Sequence, residues 1–215
     1  TVGPSGNVTG IDLAEQMLET ARRKAAALKL SNITFKTGDV TTLPFEAASF
    51  DAITTRFCLM FLPEIPKAVA EIARILKPDT WVAAAVWSAP EKNPYLKIPI
   101  DGIKQFVDLP PPDPTAPGIF RLANPGELTS MLEQAGLANI SEQEFLGDVR
   151  FAAADDYFSS LMDIAAPIQN LWAKLSAAQQ TEAKQRIIHT ARKYQQGSAI
   201  ALPIAVRMVA ARMPG

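Results

Sequence analysis

Asn7-Val8-Thr9-Gly10-Ile11-Asp12-Leu13-Ala14-Glu15 is the stretch that decides the fold. Asn7 to Asp12 reads as a short, mostly buried strand ending in an acid, and the turn signal Gly3-Pro4-Ser5-Gly6 leads into it. Behind it, Ala14, Met17, Leu18, Ala21, Ala25 and Leu28 recur at helical spacing, so a helix follows the strand directly. Asp12 precedes Glu15 by three positions, the pattern of a capping box at the start of that helix.

The alternation continues to residue 87. Ser31-Asn32 breaks the helix, and Ile33 to Lys36 forms a second strand running into Thr37-Gly38-Asp39. Ser49 to Phe57 is a third strand, rich in Phe, Ile and Thr. Pro63 opens a helix whose buried face is Ile65, Ala68, Val69, Ile72, Ala73 and Leu76, and Lys77-Pro78 stops it. Thr80 to Trp87 is nearly all apolar, as a strand covered on both faces must be. Strand and helix in strict alternation predict an α/β fold, with a parallel sheet built from right-handed crossovers.

After Trp87 the pattern changes. Residues 88–123 hold a short helix around 95–107 and the segment Leu109-Pro110-Pro111-Pro112-Asp113-Pro114, which cannot form a regular element. Asn124-Pro125-Gly126-Glu127 restarts regular structure, with a cap, a proline at the first helical position and an acid at the third. Leu128, Met131, Leu132 and Ala135 face inward until Gly136 ends the helix. A strand near 139–150 follows, then helical stretches over 154–175 and 177–195. The last element, 200–212, alternates with a period of two and is a strand; Pro203 places it near an edge or a strand start. The expected division is a core of 1–87, 124–153 and 196–215, with 88–123 and 154–195 as helical lid insertions.

With 21 basic and 22 acidic residues, the chain has neither an electrostatic footprint for nucleic acid nor a polybasic patch for a membrane. Cys58, the only cysteine, excludes an intrachain disulfide and a cysteine zinc site. It lies in an apolar run and is expected to be a buried, inert thiol. No stretch reaches the length of a membrane-spanning helix, and Thr1 to Gly6 lacks the features of a signal peptide, so a cytoplasmic protein is expected. His189, the only histidine, falls off the apolar face of Ile187, Ile188, Ala191 and Tyr194 and is expected in solvent. No histidine–carboxylate cluster has metal-ligand spacing.

Three groups of residues carry a family resemblance. Val2 to Leu13, with Glu15, Met17 and Leu18 behind it, is the first. Gly38-Asp39-Val40, Leu43-Pro44-Phe45 and Ser49-Phe50-Asp51-Ala52-Ile53 form the second, and Leu76-Lys77-Pro78-Asp79-Thr80 the third. In that order they resemble the second to fifth strands of class I S-adenosylmethionine-dependent methyltransferases, of the small-molecule, methyltransferase-11-like type. The family usually writes Leu-Lys-Pro-Gly-Gly where this chain has Asp79-Thr80, a stiffer turn. The resemblance implies a Rossmann-like, mostly parallel sheet with an antiparallel C-terminal strand.

For the site, it implies that Asp12 accepts hydrogen bonds from both ribose hydroxyls of the cofactor; its spacing to Glu15 independently supports a helix cap. Leu13 and Met17 would pack on the adenine, Asp39 would accept from the adenine amino group, and Val40 would offer its backbone N–H. Arg56 and Phe57 would stand on the methionyl side. Phe57, Met60 and Phe61, with Trp87 and Tyr95, are candidates for the substrate wall, although aromatic runs also serve as core. Nothing matches the family's acidic, glycine-rich first turn. Without that first, central strand, two half-sheets with unpaired edges are expected, and the missing residues would lie upstream or on another segment.

The implied cofactor is S-adenosylmethionine, with S-adenosylhomocysteine as product. Displacement from a sulfonium needs alignment and exclusion of water more than a catalytic pair. The aromatic and aliphatic residues of the lid point to a small, partly apolar acceptor, without nucleic acid or membrane partners; a homodimer is left open. A nicotinamide-dependent oxidoreductase competes, but its short-chain form needs lysine four positions after tyrosine. Tyr95, Tyr157 and Tyr194 are followed there by Pro99, Leu161 and Ser198. A non-catalytic binding or scaffold protein of the same fold is the third reading.

Overall fold

The alternation of patterns becomes an alternation of elements. The computed structural model of the chain describes residues 2–107, 113, 115–164 and 166–215, with Ile164 described by its backbone alone. In order these are β1 (Val8–Asp12), α1 (Glu15–Ala27), β2 (Ile33–Thr37), β3 (Phe50–Arg56), α2 (Ile65–Ile75), β4 (Leu76–Trp87) and α3 (Pro94–Lys104). Then come α4 (Glu127–Gln134), β5 (Ala138–Phe151), α5 (Ala154–Ile164), α6 (Ala166–Trp172), α7 (Ala177–Ala191), β6 (Gln195–Gln196) and β7 (Ala199–Arg212). Apart from Asp113, the proline-rich segment Leu109 to Pro114 lies outside the described residues.

The strands form two sheets. β1 and β2 pair in parallel as a sheet of their own, and the second sheet has the order β3-β4-β7-β5, with β6 on β7. β3 pairs β4 in parallel, while β7 is antiparallel to both β4 and β5. Hence β3, β4 and β5 run one way and the C-terminal strand runs against them. Among the described residues β1 and β3 share no backbone pairing, so the two half-sheets expected without a central strand are present.

α2 and α4 cover one face of the larger sheet. Ile65, Val69, Ile72, Leu128 and Leu132 pack there with Val82, Val86 and Val209. Each such side chain removed from water contributes about 1.5–3 kcal/mol. On the opposite face, Trp81 (46% exposed), Met208 (42%) and Phe145 (51%) stand around Ala83, Ala85 and Ala210.

β5 and β7 outrun their neighbours. β4 ends where Trp87 lies opposite Val206, but β5 and β7 stay paired as far as Phe151 opposite Ile200. A second core gathers on this projecting ribbon, with Tyr95, Ile103, Tyr157, Leu161, Ile168 and Ile187 packed on Ile200 and Leu202. Pro203 lies opposite Asp148 in this part, past the end of β4, so its missing N–H breaks no ladder on that side.

Four local expectations are corrected. The capping box at α1 does not form: the N-cap is Ala14, and Glu15 bonds Arg22 and Thr37 instead. Met17 and Leu28 are exposed, so only Leu18, Ala21 and Ala25 of the stripe turn inward. α4 begins at Glu127 behind a left-handed Gly126 (φ 82°), not at Pro125, because the Asn124 amide bonds the Glu127 carboxylate and holds 124–126 as a turn. The stretch 154–175 is two helices, α5 and α6. The stop at Lys77-Pro78 holds in another form. β4 is already extended from Leu76, but its pairing with β3 skips from Leu76 to Trp81, and Asp79 sits at φ 64° in the gap.

Candidate functional site

Asp12 and Asp39 come together at the carboxyl end of the small sheet. Asp12 ends β1 opposite Thr37 of β2, and the Gly38 N–H donates to the Asp12 carbonyl at 3.1 Å, so both strands stop level. Gly38 allows this closeness; a Cβ there would meet Ile11 Cγ2 at 3.3 Å. Asp12 Oδ1 accepts from the Ala14 N–H at 2.8 Å, and Asp39 Oδ1 accepts from the Thr41 N–H and hydroxyl, both at 2.8 Å. Those bonds hold the exposed Asp39 carboxyl below its ordinary pKa, the Thr41 backbone bond foremost. Among the described residues Oδ2 of each acid has no hydrogen-bond partner.

Beside the two acids, Leu13 and Met17 are 72% and 62% exposed, an apolar ledge that no element covers. Val40 is half-buried and leans on the main core. Two acceptors at one sheet end, Asp39 two residues beyond the level of Asp12, with apolar surface alongside, fit the adenosine half of S-adenosylmethionine: paired hydroxyls and an amine over a flat ring. The expected cofactor residues at this edge therefore stand together.

The expected methionyl side lies at the end of β3. Arg56 is exposed, and its guanidinium is 6.0 Å from the Phe57 ring. Phe57 adopts φ 54°, a left-handed conformation costing a non-glycine residue about 1–3 kcal/mol. Its N–H donates to the Ala85 carbonyl at 2.8 Å, and its ring stacks on Trp87 with centroids 4.2 Å apart and planes 9° apart. The strain is thus held by a backbone bond on one side and an aromatic face on the other.

Three wall candidates separate here. Phe61 is 38% exposed, but Met60 is fully buried in the main core and cannot line an open mouth. Its inward position comes from the 3-10 turn Leu59–Phe61, which rolls residue 60 under the sheet edge. Tyr95 is also buried, at 6%, within the aromatic core of the ribbon. Trp87, packed against both cores, joins the two regions.

Cys58 is exposed, against the expectation of a buried thiol. It follows the edge strand β3, which among the described residues pairs with no strand on its outer side. Partial desolvation raises its pKa above the ordinary thiol value, with the Asp12 carboxylate adding to the effect. The thiolate is therefore scarce at neutral pH, and alkylation by iodoacetamide is expected to be several-fold slower than for a free cysteine at pH 7.5. The rate should recover as pH rises through the raised pKa. A neutral-pH rate equal to that of free cysteine would contradict the desolvated setting that raises the pKa.

A buried polar group at the same edge is absent from the expected site. Ser88 and Asn93 are fully buried after β4, and Arg207 of β7 is 6% exposed. The sequence holds a signal for it: Arg207 interrupts the apolar run Leu202 to Val209 at an inward-facing position. His189 is exposed as expected, in a shallow groove between α3 and α7. Among the described residues no group of histidine, cysteine and acid side chains could hold a metal, and no helix is long and apolar enough to cross a membrane.

Residues 2–84 match the sequence profile of the family described as methyltransferase domain. A demethylmenaquinone methyltransferase of Staphylococcus aureus is 34% identical over 157 residues, which cover 69% of this chain and 64% of the relative. The chain thus spans less than two thirds of that relative's length. Among solved structures, the YcgJ protein from Bacillus subtilis aligns with a TM-score of 0.60 at 22% identity, over 97% of this chain and 83% of that one. A phosphoethanolamine N-methyltransferase of Haemonchus contortus, in complex with phosphomonomethylethanolamine and S-adenosylhomocysteine, aligns with a TM-score of 0.56 at 17% identity. That alignment covers 98% of this chain and 44% of the other. Both structural likenesses concern the fold.

Proposed function

We propose that the chain is a class I S-adenosylmethionine-dependent methyltransferase, as its similarity to the methyltransferase-domain family suggests, and that it serves methyl transfer to a small, partly apolar acceptor. The observation that carries the reading is that Asp12, the last residue of β1, and Asp39, two residues past the end of the adjacent parallel β2, stand at one sheet end with the exposed Leu13 and Met17. Asp12 would hold the ribose hydroxyls, Asp39 the adenine amino group, and Leu13 with Met17 the faces of the ring. A carboxylate suits each task because its oxygens accept from charged or neutral donors in a fixed plane.

S-adenosylmethionine, when bound, supplies a methyl carbon activated by the adjoining sulfonium. Arg56 and Phe57 would face that end, and the Phe57–Trp87 stack would exclude water from it. The projecting ribbon with α3, α5, α6 and α7 would act as the lid that chooses the acceptor. Its aromatic interior supports an apolar acceptor, and the relative named for demethylmenaquinone makes a quinol ring the first acceptor to test. A cytoplasmic setting goes with this reading, since an exposed single thiol suits a reducing compartment.

Calorimetry with S-adenosylhomocysteine tests the proposal, run on this chain and on the chain joined to its genomic upstream sequence. Binding by either supports it. Binding of NADH in place of S-adenosylhomocysteine would overturn it in favour of the oxidoreductase, and binding of neither would favour the scaffold.

A further inference from the structure

Arg207 sits where three chain segments meet at the carboxyl edge of the larger sheet. Its Nη1 pairs with Glu142 Oε1 of β5 at 2.7 Å, and its Nη2 donates to Ser88 Oγ at 3.3 Å. Nε and Nη2 both donate to the Ala123 carbonyl, at 3.3 and 3.2 Å. The fork therefore spans β5, the corner after β4 and the segment leading to α4. Each partner is further tied. Glu142 also accepts from the Gly126 N–H at 3.0 Å and the Thr129 hydroxyl at 2.6 Å. Glu144 accepts from Ser88 Oγ and from Lys92 Nζ, the latter at 2.6 Å, and lies 3.8 Å from Arg207. Asn93 Nδ2 donates to the carbonyls of Ser88, Ala89 and Ala205, and its Oδ1 accepts from the Ala205 N–H.

A buried ion network of this kind is a costly way to fill space, since apolar residues of equal volume pack there without desolvating charge. What apolar residues cannot do is fix direction. A planar guanidinium holds its partners at set angles, and here those partners include Ser88, the residue after Trp87. Trp87 is the face against which the strained Phe57 ring is stacked. One residue past Asn93, α3 begins.

We propose that Arg207 is a positioning residue: it fixes the 88–93 corner, and through Trp87 it sets the Phe57–Trp87 stack at the methyl-transfer end of the site. The inference rests on the methyltransferase reading for what the stack faces, and on this structure alone for the linkage. A lysine at 207 keeps the charge but replaces the planar fork of three nitrogens by one freely rotating ammonium that does not hold the three segments at set angles, so it separates positioning from charge balance.

The experiment uses the full chain with Trp81→Phe and Trp172→Phe, which leaves Trp87 as the only indole. Arg207→Lys is expected to keep the far-ultraviolet spectrum and lose half or more of the Trp87 near-ultraviolet dichroism. Amide exchange over 88–104 should rise at least tenfold while β1, α1 and β2 keep their rates. An unchanged Trp87 signal, or exchange rising equally in every element, would overturn the proposal. Should Arg207→Lys not fold, Glu142→Gln/Glu144→Gln/Arg207→Met removes all three charges together, and the same two readouts decide. Titration of the parent with S-adenosylhomocysteine is scored separately. Failure of both the parent and its upstream-joined form to bind counts against the methyltransferase reading, whereas an unmoved Trp87 band in the variants counts against Arg207.

Discussion

Asp12→Asn is expected to weaken S-adenosylhomocysteine binding by about 30- to 150-fold, with little change in stability. The loss corresponds to about 2–3 kcal/mol, the range for replacing charge-assisted hydrogen bonds to two hydroxyls. Asparagine keeps a side-chain oxygen for the Ala14 N–H, so the bond at the start of α1 survives. Asp12→Ala removes both functions. It should lose the same affinity and, in addition, about 1 kcal/mol of stability, as removal of one side chain–backbone hydrogen bond does. Calorimetric titration of the two variants, with denaturant unfolding alongside, separates the roles. Equal affinity in Asp12→Asn and the parent would leave Asp12 as a helix-start residue only.

Tyr157→Ala should cost about 3–5 kcal/mol, the range for truncating a fully buried aromatic side chain. Tyr157 is wholly buried at the centre of the ribbon's core, with its ring centroid 5.9 Å from that of Tyr95 and 5.4 Å from that of Phe151. Its hydroxyl donates to the Tyr95 carbonyl of α3 at 2.7 Å. Burial pushes that hydroxyl far above the ordinary tyrosine pKa, so it stays a donor throughout the working pH range. Tyr157→Phe keeps the ring and leaves the carbonyl short of one donor, at about 1 kcal/mol. Urea unfolding followed by near-ultraviolet dichroism measures both. A cost below 1 kcal/mol for the alanine variant would mean that these helices do not form a cooperative core.

The parts of this fold that could be read from the chain are those set by neighbours in sequence. The strand–helix alternation from Val8 to Trp87 rests on local periodicity, and Asp12 and Asp39 are placed by the strands they end or closely follow. The exposure of Cys58 could not be read that way, because it depends on what lies beside β3 and not on the apolar run around it. The burial of Met60 was hidden for a related reason: the 3-10 turn Leu59–Phe61 buries Leu59 and Met60 and leaves Phe61 exposed. The Arg207 network joins residues 65 to 119 positions apart, beyond any spacing rule. Only the charge in an apolar strand hinted at it. The capping box fell to competition, since Arg22 and Thr37 claimed the Glu15 carboxylate.

The length of β5 and β7 has a mechanical consequence. The same two strands serve as the far side of the main sheet and as the floor of the helical layer, from Ser141 opposite Ala210 to Phe151 opposite Ile200. A cap hung on loops can swing through a wide angle about a hinge. One rooted in a continuous hydrogen-bonded ribbon stores any displacement as twist and bend along the strands. Opening and closing would then resemble the flexing of a leaf spring, of small amplitude and with a built-in restoring force.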